Sequence, residues 1–84
     1  MWTRYETSAH ARGRWDQRFN TYKESLGYAV GNSRFMGMLH TRGHAWYVFA
    51  YRDAAFLFSW TEDGPEASLD TVWPLRWAQH KLES

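Results

Sequence analysis

Between Arg34 and Thr61 three apolar segments, 34–40, 44–52 and 55–61, follow one another with only two or three residues between them. Segments linked so closely can pair only with reversed direction, because parallel neighbours need a crossover of about a dozen residues or more. The run therefore predicts a three-stranded antiparallel meander at the centre of the fold. In its middle segment Trp46, Val48 and Ala50 share one side and Tyr47, Phe49 and Tyr51 the other, while in the third Phe56, Phe58 and Trp60 oppose Leu57 and Ser59. Both sides are apolar at their centre.

Upstream, Trp15, Phe19, Tyr22 and Leu26 recur at helical spacing, which predicts a helix over 9–26 with Ser8 as its cap and Gly27 as its stop. Gly13 weakens the first turns, so the helix is expected to be firm only from about Arg14. A short first strand is expected within 2–7, and the glycine-containing stretch 27–33 reads as a turn. Downstream, Glu62 to Glu66 forms an acidic turn, followed by a stripe of Val72, Leu75, Ala78 or Gln79, and Leu82, with Trp73 and Trp77 beside it. The stripe predicts a second helix starting at Asp70 or Thr71, with Pro74 tolerated in its first turn. A strand over 67–73 that ends at Pro74 is the rival reading. The expectation is thus one α+β domain over 1–84: a short N-terminal strand, a helix, the meander and a C-terminal helix, with both helices on one face of the sheet.

With no cysteine, the chain has no disulfide, thiolate zinc site, iron–sulfur cluster or cysteine nucleophile. No apolar run approaches the roughly 20 residues that span a bilayer, and the chain reads as soluble and cytoplasmic. Its core must be aromatic, since there are 6 Trp, 5 Tyr and 5 Phe but no isoleucine. A domain of this length has a radius of only about 12 Å, too little to enclose every ring. If both helices cover one face, the rings on the reverse face await a partner: a second copy of the chain, another protein or stacked nucleobases.

The net charge is only +1, but it is unevenly placed. Residues 1–44 carry seven basic and three acidic side chains, and residues 45–84 three basic and six acidic. Eight of the ten basic residues are arginine, whose planar fork suits contacts with phosphates, carboxylates and rings. Arg12, Arg14, Trp15 and Arg18 interleave basic and aromatic groups, as backbone-phosphate contact with base stacking would use. His40 and His44 flank the short link Thr41-Arg42-Gly43 and could sit opposite one another, but two imidazoles do not make a metal site, and no metal or cofactor is expected. Asp53 and the Glu62/Asp63 pair lie at opposite ends of a strand, too far apart to act on one bond. No serine-hydrolase elbow or phosphate-cradling glycine loop is present.

The order helix, three strands, helix resembles the topology of double-stranded-RNA-binding domains. The chain departs from that family at Glu66-Ala67-Ser68-Leu69-Asp70, which is acidic where the family carries phosphate-holding lysines. With the first strand included, the order resembles small ribonuclease toxins, and Gly43 to Arg52 is similar to their central strand, though no base, acid and arginine cluster accompanies it. The leading expectation is a non-catalytic protein-binding module similar in profile to small phage or mobile-element inhibitors, acting on a host nucleic-acid-handling, defence-type complex. Its expected anchors are Arg12, Arg14, Trp15, Arg18, Arg42, Tyr47, Phe49 and Tyr51, because arginines and aromatics carry most interface energy. The alternative is a direct RNA- or DNA-binding domain, with ribonuclease activity as its enzymatic form.

Overall fold

The computed structural model describes residues 5–19, 22–41, 43–60 and 67–83. Five strands and three helices follow in the order β1 (Tyr5–Thr7), α1 (Ala9–Arg18), α2 (Leu26–Gly31), β2 (Arg34–Thr41), β3 (His44–Tyr51), β4 (Ala54–Trp60), β5 (Ala67–Pro74) and α3 (Leu75–Glu83). The sheet order is β1-β5-β4-β3-β2; β1 runs parallel to β5 and every other pair is antiparallel. The expected meander is present at its expected place, but it is longer by one strand and closed by a parallel edge, so the α+β sheet is five-stranded and mixed. That departs from the three-strand order on which the resemblance to double-stranded-RNA-binding domains rests.

The extra strand is the rival reading of 67–73. Thr71, Val72 and Trp73 are β-branched or aromatic and suit a pleated surface, and β5 pairs along β4 from Ala67 to Pro74 with one bulge beside Asp70. Pro74 closes the strand, and α3 starts on the next residue with the Leu75 amide donating to the Asp53 carbonyl at 2.7 Å. The predicted stripe is divided accordingly. Val72 joins the core on the α1 side of the sheet, whereas Leu75, Ala78 and Leu82 pack on the other side.

The placement of helices on one face is therefore corrected. α1 and α2 cover one face over Phe49, Phe56, Phe58, Leu69 and Val72, and α3 covers part of the other over Leu39, Val48, Ala55 and Leu57. A single helix layer would have left the second apolar face of β4 wet; Ala54 to Phe58 are all buried because both faces are covered. The reverse face is not open as expected.

The stripe Trp15, Phe19, Tyr22 and Leu26 does face one core, but not as one helix. α1 stops where the Phe19 amide donates to the Trp15 carbonyl at 2.9 Å, and α2 begins after Ser25, whose hydroxyl accepts from the Tyr28 amide. The stretch read as a turn holds this six-residue helix because Leu26 and Ala29 are buried and Asn32 and Ser33 satisfy its last carbonyls. At the start of α1, Ser8 has three tasks. Its amide donates to the Leu69 carbonyl at 3.1 Å, prolonging the β1 ladder; its hydroxyl accepts from the Ala11 amide and donates to the Asp70 carbonyl, both at 3.0 Å. No helix among the described residues is long and apolar enough to cross a membrane.

Candidate functional site

The anchors expected from sequence do not converge. Trp15 and Phe49 are 5 % exposed and belong to the core under α1 and α2. Tyr51 is half-buried, with its hydroxyl donating to Glu24 at 3.1 Å. Arg42 lies outside the described residues, as does the acidic turn at 62–66. Arg12, Arg14 and Arg18 separate on α1: at 100° per residue, Arg14 and Arg18 fall on one side of the buried Ala11/Trp15 stripe and Arg12 on the other, beside Asp16. Tyr47 is half-buried on the same sheet face as α1.

His40 and His44 do not meet. The β2–β3 link is two residues rather than three, since Thr41 pairs with His44 and His40 with Ala45. Alternation then sends His40 to the α1 face and His44 to the α3 face, where its ring lies 4.2 Å from that of Trp46. Gly43 allows the tight link through its positive φ of 78°. No group of three histidine or acidic side chains that could hold a metal occurs among the described residues.

Two surfaces do gather recognition chemistry. The first is the end of the α1 face that the helices leave uncovered. Here Met38 is the cross-strand partner of Tyr47, Phe35 packs on Phe49 at 5.3 Å, Tyr5 meets Phe58 edge-on at 5.4 Å, and Trp60 pairs with the small Ala67. Phe35 is 53 % and Trp60 42 % exposed, and Tyr5 and Met38 are exposed as well. The rings beneath them, Phe49 and Phe58, are buried, so the exposed groups stand on a packed floor.

The second surface is the edge of the sheet beyond β1. That strand pairs only with Ala67 to Leu69, and along the rest of β5 side chains of α1 take over the carbonyls: Ser8 donates to Asp70 and Arg18 to Val72 at 3.2 Å. His10 Nε2 and the Thr71 hydroxyl lie 3.1 Å apart on the same edge. The Arg18 guanidinium continues past the edge and sits 4.8 Å from the centre of the Trp77 ring, which in turn meets Trp73 edge-on at 6.4 Å. An open groove of about 440 Å³ follows, lined by Trp73, Arg76, Trp77, His80 and Lys81. The interleaving of cation and ring read at Arg12, Arg14, Trp15 and Arg18 does not use Trp15, which is buried; the ring beside Arg18 is Trp77 of α3. The available signal was Trp77 itself: an indole off the apolar stripe of its helix, next to Arg76 and one turn from His80 and Lys81.

Comparison with family models, with curated proteins and with solved structures finds no match for this chain.

Proposed function

We propose that this protein is a non-catalytic binding module that docks on a larger protein or ribonucleoprotein assembly through the uncovered end of its aromatic face. The observation that carries this reading is the exposure of Phe35, Met38, Trp60 and Tyr5 on one sheet face, over the buried Phe49 and Phe58. Rings held by a rigid backbone lose little conformational freedom on association, and such residues dominate interface energies. Phenyl, thioether and indole, three of its four exposed groups, recognise by apolar contact, and the reading is that the surface acts by occupancy. Blocking a nucleic-acid-handling complex, the inhibitory role expected from the sequence, requires nothing more.

A photo-crosslinking phenylalanine analogue at position 35 or 60 tests the reading in lysate of cells that carry the protein. A single protein target should be crosslinked from both positions, persist after nuclease treatment and disappear when Met38→Glu is added to a chain of unchanged thermal stability. Crosslinks only to a second copy of the chain, or none from either position, would overturn it.

A further inference from the structure

The β5 edge carries a second binding chemistry, distinct from the aromatic face. We propose that the groove between Trp73, Trp77 and Arg76, with Arg18 at its rim, binds single-stranded nucleic acid. Two indoles line it, and one of them, Trp77, is 45 % exposed although it already carries a cation on its ring. Indoles left open to solvent beside arginine are a stacking platform for unpaired bases, which present a π-face regardless of sequence. A groove of this size lies within the range of pockets that take small ligands and admits one or two bases.

Charge decides the class of occupant. α3 brings Arg76, His80 and Lys81 to the groove, and α1 brings Arg18 to its rim. Two nearby acidic groups do not compete: the Asp70 carboxylate accepts the Trp46 indole N–H at 3.1 Å and Asp16 lies on the Arg12 side of α1, while Glu83 stands in the last turn of α3 beyond His80 and Lys81. Arg76 has no ion pair among the described residues. Cations from two helices around exposed rings match a ligand that alternates phosphate and base. A duplex would offer the phosphates but hide the bases, and an acidic peptide would leave the indoles unused.

Position supports the same assignment. Arg18 is held by the Val72 carbonyl and by Trp77 at once, so its charge is fixed at the rim before any ligand arrives. A pre-ordered guanidinium loses less freedom on binding than one on a mobile stem. Arg18 of the basic first half thus reaches Trp77 of the acidic second half.

The test is fluorescence anisotropy of the full chain with a labelled single strand of about 12 nucleotides, as RNA and as DNA. The same sequence as a duplex and a free mononucleotide as competitor complete the set. Saturable binding to the single strand is expected, and three phosphate contacts imply a loss of roughly twentyfold between about 50 and 200 mM salt. Trp77→Ala and Arg76→Glu, both at exposed positions, should each weaken binding about tenfold or more, with the salt dependence flattened only by Arg76→Glu. Arg12→Glu, on the other side of α1 and lining no part of the groove, should leave affinity within about twofold. No saturable binding at the lower salt would overturn the proposal. So would equal losses from Arg12→Glu and Arg76→Glu, preference for the duplex, or a mononucleotide that binds as tightly as the strand. None of these results bears on the crosslinking outcome at Phe35 and Trp60.

Discussion

Arg52 places its guanidinium 3.0 Å from the Glu24 carboxylate while its own backbone holds a φ of 53°, a value that residues with a side chain seldom adopt. The same carboxylate oxygen accepts the Tyr51 hydroxyl at 3.1 Å, and the guanidinium lies over the rings of Tyr22 and Tyr51. Next to it, the Asp53 amide donates to the Tyr22 hydroxyl and the Asp53 carbonyl accepts the first amide of α3. The two-residue β3–β4 turn is thus the point where the α1–α2 connection and α3 are both tied to the sheet.

This cluster predicts an acid-sensitive component of stability. The Glu24 carboxyl is held below its ordinary value, first by a hydrogen bond from its own backbone amide and then, against partial burial, by Tyr51 and Arg52. A carboxyl whose folded value is depressed stabilises the fold fully above its unfolded value, near 4.5, and loses that contribution as pH falls through the folded value. Glu24→Gln should lower the melting temperature at pH 7 and shrink the difference from the parent progressively below about pH 4.5. Circular-dichroism melts of the two proteins from pH 7 to pH 3 check it; a constant difference would show that Glu24 does not contribute through its charge.

At the alkaline end the sign reverses. Burial, and then the bond to Glu24, raise the Tyr51 hydroxyl above 10.0, so the fold favours the neutral phenol. That contribution is present below the unfolded value and is lost as pH rises through the folded one. In Tyr51→Phe the alkaline decline in melting temperature should be shallower than in the parent.

Ser8 combines functions that single substitutions can separate. Ser8→Ala removes the α1 cap and leaves the Asp70 carbonyl without its donor, at an expected cost of about 1–2 kcal/mol in urea unfolding. Ser8→Asp restores a capping acceptor but cannot donate to Asp70, so it should recover only part of the loss. Ser8→Thr should recover nearly all of it.

Aromatic residues that look alike in sequence differ sharply in what they support. Phe56 is fully buried between α1 and the sheet, and Phe56→Ala should cost about 3–5 kcal/mol, a large share of the stability of a domain this small. Phe35→Ala removes an exposed ring from the same sheet face and should cost less than about 1 kcal/mol. Chemical-denaturation midpoints distinguish the two.

Gly43→Ala should destabilise by about 1 kcal/mol or more, because a φ of 78° brings a β-carbon against the backbone even where the surrounding space is open. Gly37, at the β2 bulge, has a φ of 144° and the methyl of Leu82 just beyond the place of a β-carbon. Alanine there should be tolerated less well than the exposure of β2 implies.

The meander from Arg34 to Trp60 was legible because its signals are local: alternation within each segment and links too short for any other pairing. The stripe Trp15, Phe19, Tyr22 and Leu26 predicted burial correctly and helix continuity wrongly, since periodicity reports which side chains meet the core and not whether the backbone between them stays helical. Val72 and Leu75 looked like neighbours on one helix, yet Pro74 separates a strand from a helix and sends them to opposite faces. That choice depends on β4, whose free edge offers hydrogen bonds to 67–74, and no property of the segment alone could decide it. The same dependence hid the β5 edge. Arg18 and Trp77 are far apart in sequence, and only the sheet between their helices brings cation and ring together.

The pairing of β1 and α1 with β5 has a consequence for how the chain is made. Ser8 and Asp70, joined by a hydrogen bond, stand 62 positions apart. During synthesis Trp15 and Phe19 emerge long before Leu69 and Val72, so the first apolar stripe has no sheet edge to lie on until β5 exists. β2, β3 and β4 can zip as successive hairpins as they appear, whereas the N-terminal segment must be recaptured across the whole meander, at the entropic cost of closing that loop. The nascent chain therefore carries the rings of α1 unshielded until β5 has been made, and the step that covers them follows the meander.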